Sequence, residues 1–101
     1  MFLLIPVDAQ ERDAAIAMIA DAKCWALVEA DGGGVVDVTF YDDREAVEEF
    51  IEAVVVKDKN DDVAPFFEES IPVLQAPYPM DIDEIVEAFM FRELYEVPIR
   101  F

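Results

Sequence analysis

Phe2 to Val7 is a nearly unbroken apolar run, the pattern of a strand covered on both faces. Asp8 and Glu11 follow at capping-box spacing, and the alanine-rich stretch Ala14–Ala20 predicts a short helix behind them. Cys24–Ala30 predicts a second strand. Asp31-Gly32-Gly33-Gly34 is a tight turn in which glycine supplies positive φ without a steric penalty. Val35–Tyr41 then alternates: Val36, Val38 and Phe40 fall on one face, and Val35, Asp37, Thr39 and Tyr41 on the other. The second and third strands therefore form an antiparallel hairpin.

Beyond Tyr41 the pattern changes to a helical one. Asp42 and Glu45 stand at capping-box spacing ahead of Ala46, Val47, Phe50 and Ile51, an apolar stripe that predicts a second helix. Val54–Val56 predicts a short buried strand. Asp61 or Asp62 can cap a helix with Pro65 in its first turn, where a missing N–H is tolerated. Ile71–Gln75 predicts the fifth strand, and Asp81 with Glu84 caps a last helix carrying Ile82, Ile85, Val86, Phe89 and Met90 on one side. The tail Val97-Pro98-Ile99-Arg100-Phe101 is apolar. This order predicts a single α/β domain over residues 1–101, with a mixed five-stranded sheet and helices on both faces. Right-handed crossovers set the fourth and fifth strands parallel to the first.

Composition narrows the functional classes. With 55% hydrophobic residues the chain can close a core, so disorder is not expected. It carries 24 acidic and 7 basic residues, for a net charge of -17. Such a surface repels phosphate backbones and anionic headgroups, so no nucleic-acid or membrane-surface role is expected. The absence of His removes His-dependent triads and the usual zinc and non-haem iron sites. A lone cysteine, Cys24, cannot form an internal disulfide, which suggests a reducing, cytoplasmic setting. Met1–Ile5 lacks a charged flank and meets Pro6 and Asp8 at once, so it predicts a strand rather than a signal peptide.

The opening Ile5-Pro6-Val7-Asp8 is similar to the start of dinitrogenase iron–molybdenum cofactor biosynthesis proteins, the NifX-like group. Ala22–Glu29 with the glycine turn and Val36-Asp37-Val38 resembles that family's hairpin. Val54-Val55-Val56 and Ile71-Pro72-Val73-Leu74 resemble its paired late strands, and Asp83–Ala88 its closing helix. The resemblance implies a ribonuclease H-like three-layer fold with sheet order 3-2-1-4-5, without nuclease activity. Members of that family carry or deliver iron–sulfur–molybdenum clusters or have no assigned role, and the resemblance implies the same range here. Two departures bear on that role. The family's His-Phe-Gly segment, whose His is a candidate cluster ligand, is matched here by Met18-Ile19-Ala20. Its glycine-rich turn after the fourth strand is replaced by Lys57–Asp62, which has no glycine and carries Asp58, Asp61 and Asp62. An acidic mouth disfavours an anionic cluster.

Cys24 is the one soft thiol ligand, and Lys23 beside it could lower its pKa; Met18 is the nearest further sulfur in sequence. In an apolar strand, however, a cysteine serves as a small core residue. Asp58, Asn60, Asp62 and Glu69 fit positions 1, 3, 5 and 12 of a calcium loop, but Val63 stands where the turn needs glycine. Asp42-Asp43 and Asp81–Glu84 could serve as magnesium carboxylates or an acid–base pair, yet each precedes a predicted helix that they can cap. Ser70 has no His to activate it, and no phosphate-binding loop is present.

The expectation is a non-enzymatic, acidic binding protein that kept the fold and lost the cluster site, with no cofactor. It would act on a protein partner with a basic surface, through an acidic face around Glu45, Glu48, Glu49 and Glu52 or through the apolar tail (Phe91, Leu94, Tyr95, Ile99, Phe101). An exposed tail would also make a homodimer plausible. The alternative is a metal or iron–sulfur–molybdenum cluster carrier using Cys24 and Met18.

Overall fold

A computed structural model of the chain describes residues 1–98. The part of the expected apolar tail on Ile99, Arg100 and Phe101 lies outside the described residues. The strands are β1 (Phe2–Val7), β2 (Cys24–Asp31), β3 (Gly34–Tyr41), β4 (Ala53–Val56), β5 (Val73–Gln75) and β6 (Tyr95–Glu96). The helices are α1 (Ala64–Glu68) and α2 (Ile82–Met90). One mixed sheet holds all six strands in the order β3-β2-β1-β4-β5-β6. β4 runs parallel to both β1 and β5, while the β1–β2, β2–β3 and β5–β6 pairs are antiparallel.

The sheet thus has six strands where five were expected. β6 has no apolar alternation to announce it, since Tyr95 and Glu96 are both exposed. It forms because Gln75 and Leu74 leave an open edge, on which Tyr95 and Glu96 pair. The fifth strand is also shorter than the expected Ile71–Gln75. Its first residues belong instead to the exit from α1, where the Ile71 N–H bonds to the Phe66 carbonyl.

Side-chain alternation sorts the core onto the two faces of the sheet. Leu3, Ile5, Ala26, Val28 and Val55 pack under α2, against Ile82, Ile85 and Val86. Leu4, Leu27, Val54 and Val73 pack on the opposite face, against Phe66 of α1. No polar or charged residue is buried among the described residues. Every one of the 24 carboxylates therefore keeps contact with solvent.

Two expected helices are not there. Ala14–Ala20 is extended around Ala15 and Ile16, with only a 3₁₀ turn at Ile19–Asp21. Alanine's helical preference is overridden because the backbone of this stretch is bonded elsewhere. The Ile16 N–H donates to Met80, the Ala17 N–H to Pro6, and the Ala15 carbonyl accepts from Asp8. The Asp8 carboxylate takes the Ala15 N–H rather than capping toward Glu11. Residues 42–52 likewise form only a 3₁₀ turn at Arg44–Ala46, with Asp43 rather than Asp42 as its cap. A helix here would stack Glu45 on Glu49 and Glu48 on Glu52, like charges one turn apart.

Three smaller corrections follow. The β2–β3 register shifts between Glu29 and Ala30, so a bulge sends Val36 out to solvent and leaves Val35 on the core side. The alternation expected from sequence grouped Val36 with Val38 and Phe40, whereas Val35 shares their cluster. At α1, Pro65 sits in the first turn as expected, but Val63 precedes it and no side chain caps it. Asp61 instead accepts the Ile19 N–H at 2.9 Å, tying the loop after β4 to the turn before β2. Only at α2 does the expected capping box form, with the Glu84 N–H donating to Asp81 at 2.9 Å and the Asp81 N–H to Glu84 at 3.1 Å.

Both helices end in the same way. After α2, Arg92 has φ 58°, its N–H bonds to the Phe89 carbonyl, and the Glu93 N–H bonds to Ala88 at 2.8 Å. After α1, Ser70 has φ 60° with the equivalent pair of bonds to Phe67 and Phe66. This is the Schellman ending, whose left-handed position favours glycine. Arg92→Gly is expected to raise stability by roughly 1 kcal/mol, read as a higher urea midpoint at unchanged slope. An unchanged or lower midpoint would count against the strain assigned to that position.

Candidate functional site

Cys24 opens β2 and is buried, with its Sγ donating to the Ala9 carbonyl at 3.6 Å. Burial pushes its thiol pKa up, and the Asp42 carboxylate pushes the same way. The lowering expected from Lys23 is thus reversed, since Lys23 is exposed while burial, and after it the Asp42 carboxylate, raise the thiol. The thiolate is the form that binds metals, and both causes disfavour it. Met18 lies half-buried ahead of the Ile19–Asp21 turn, outside the core cluster that contains Cys24.

The raised thiol has a consequence for alkaline stability. The folded state keeps the proton where the unfolded chain has released it, so stability falls as pH rises between the two values. Urea midpoints compared with those of Cys24→Ala should show a steeper alkaline fall in the wild type. Parallel curves would mean that the thiol titrates alike in both states.

The calcium-loop residues are not brought together. Asp58 accepts the Asn60 N–H in a local turn, and the Asp62 N–H bonds to Asp61. Glu69 stands at the end of α1, paired with Arg44 at 2.8 Å. Among the described residues no group of three or more His, Cys, Asp or Glu side chains could hold a metal ion. The other paired carboxylates serve locally. Asp43 and Asp81 cap their turns, and Asp83 holds Arg12 in a two-pronged pair at 2.8 and 2.9 Å.

What the fold does assemble lies on the α1 face. The Arg44 guanidinium sits 4.7 Å from the centre of the Phe66 ring and also reaches Glu69. Trp25 meets the same ring edge-on, at 5.9 Å between centroids. This stack fixes the start of the 42–52 segment against the C-terminal end of α1. Between them opens a cleft of about 480 Å³. Leu4, Val47, Ile51 and Ile71 give it an apolar lining, and Glu49, Glu52 and Glu69 bring carboxylates to it. Phe50, also lining the cleft, is 83% exposed. Glu69 is neutralised by Arg44, so the unbalanced charge comes from Glu49 and Glu52, with Glu45 and Glu48 on the same segment. Sequence reasoning placed Phe50 in a buried helical stripe and missed the cleft. The run of glutamates that forbids the helix was the available signal.

No family model and no curated protein matches the chain. Solved structures do. The crystal structure of a protein from Methanocaldococcus jannaschii, provisionally named a dinitrogenase, matches at 20% identity and TM-score 0.75, covering 99% of this chain and 97% of that one. The NMR structure under the same provisional name matches at 21% identity and TM-score 0.76, covering 99% and 95%. A Thermotoga protein provisionally named NifB matches at 13% identity and TM-score 0.68, covering 99% and 97%. The chain shares their fold. At these identities the likeness extends to the architecture alone.

The residues present do not fit the cluster that the family resemblance implies. Cys24 is buried with its thiol bonded to a backbone carbonyl, no group of three or more His, Cys, Asp or Glu side chains among the described residues could hold a metal, and the loop after β4 carries carboxylates where an anionic group needs donors.

Proposed function

We propose that this chain is a non-enzymatic binding protein, built on the ribonuclease H-like arrangement of the nitrogenase cofactor-biosynthesis group, that does not carry the cluster. It docks a protein partner with a basic surface at the cleft beside Phe50. The observation that carries this reading is the cleft itself: an apolar lining, carboxylates at its margin, and an aromatic ring left in solvent. Lysine or arginine side chains suit such a site, since their stems cover apolar surface while their charges meet carboxylates or an aromatic face. The surrounding negative field would speed the encounter and make it sensitive to salt. The putting together of Arg44, Phe66 and Glu69 supports the reading by holding the cleft wall in place without a partner.

Two measurements test it. Metal analysis and an absorption spectrum on anaerobically purified protein should give a colourless, metal-free solution; stoichiometric iron or molybdenum with a charge-transfer band would establish a carrier instead. Titration with a lysine–leucine peptide should show binding that weakens with salt, and Phe50→Ala should reduce it roughly two- to fivefold. Equal binding by the variant would move the partner away from this cleft.

A further inference from the structure

β3 ends the sheet on one side, and among the described residues its outer edge meets no other strand. Hydrogen bonding across the hairpin decides which of its backbone groups are free. Met1 and Ala30 exchange bonds, the amino terminus donating at 3.2 Å and the Ala30 N–H at 2.9 Å. Alternation along an antiparallel strand then turns Val28 and Ala26 toward β1, and Leu27 and Trp25 toward β3. Their partners Thr39 and Tyr41 bond inward, so the backbone N–H and C=O groups of Val38 and Phe40 point away from the sheet. The bulge lies nearer the hairpin turn, which leaves this stretch regular.

The charge around that edge has one sign. From Cys24 to Asp43 the chain carries Glu29, Asp31, Asp37, Asp42 and Asp43, and no lysine or arginine. A second copy pairing along β3 would bring the same carboxylates against their own kind, which opposes self-association. An extended basic chain meets the opposite situation. Cross-strand neighbours share a face, so the half-buried Val38 and Phe40 select apolar residues on the α2 side, while exposed Asp37 selects a cation on the other. We propose that β3 accepts a segment of alternating basic and apolar residues from a protein partner as an added edge strand. This surface is separate from the Phe50 cleft and does not depend on it.

An NMR titration of the labelled protein with a capped, alternating lysine–valine peptide tests the idea at low salt. Hydrogen exchange at the Val38 and Phe40 amides should slow at least tenfold on saturation, while Thr39, already bonded to β2, changes little. The same peptide N-methylated on alternate residues should bind at least tenfold more weakly, as should its glutamate–valine counterpart. Val38→Pro removes an outward N–H without touching the β2 ladder and should weaken binding to the same extent, whereas Val38→Thr should not. If the proline variant fails to fold, the N-methylated peptide gives the answer alone. Unchanged exchange at Val38 and Phe40, or equal binding of the N-methylated peptide, would overturn the proposal. Concentration-dependent protection of those amides without peptide would do the same, assigning the edge to a second copy.

Discussion

Phe66→Ala is expected to destabilise the domain by about 3–5 kcal/mol, a large part of the roughly 5–15 kcal/mol that holds a small domain together. The ring is 2% exposed and closes one face of the sheet against Leu4, Leu27, Val54 and Val56. Its loss leaves a cavity that a helix as short as α1, anchored at Pro65 and at Ser70, cannot collapse to fill. The same substitution removes the surface on which Trp25 and Arg44 rest. Arg44→Ala provides the contrast. Its pair with Glu69 is partly solvent-exposed on both sides, and such pairs contribute about 1 kcal/mol or less. Urea unfolding of both variants separates the terms. A Phe66→Ala loss no greater than that of Arg44→Ala would mean that the ring is not what closes this face.

Ile85→Ala probes the other layer and is expected to cost about 2–5 kcal/mol. Ile85 is fully buried on the inner face of α2, among Ile82, Val86 and the inward residues of β1 and β2. The sheet separates it from Phe66, so the two losses should add to within about 0.5 kcal/mol. The double variant then stands near the limit of folding, and its melting curve should broaden or vanish. A clear shortfall from additivity would show that the two faces communicate through the strands.

The strands were legible because β1, β2 and β4 are buried on both faces and so appear as apolar runs. α2 was legible because its cap and its stripe agree. Ala14–Ala20 misled because alanine content is local information, while the partners of that backbone, Pro6 and Met80, come from opposite ends of the chain. Residues 42–52 misled because an apolar stripe was visible and the repulsion along the glutamate side was not weighed against it. At the candidate sites, the sequence identified Cys24 but not its surroundings. Burial and then Asp42 raise its thiol, its Sγ reaches the Ala9 carbonyl, and neither Ala9 nor Asp42 is a strand neighbour. The stack of Trp25, Arg44 and Phe66 is invisible in one dimension, since each residue comes from a different element.

The absence of buried polar groups among the described residues bears on how such a chain diverges. A core with an internal hydrogen-bond network ties each member to its partners, so substitutions must arrive together. A core without polar side chains asks for volume and pattern, and exchanges of valine, isoleucine and leucine are tolerated one at a time. Many sequences can then satisfy one architecture, in keeping with a fold shared at identities of 13% to 21% with TM-scores of 0.68 to 0.76. The surface drifts under no such restraint.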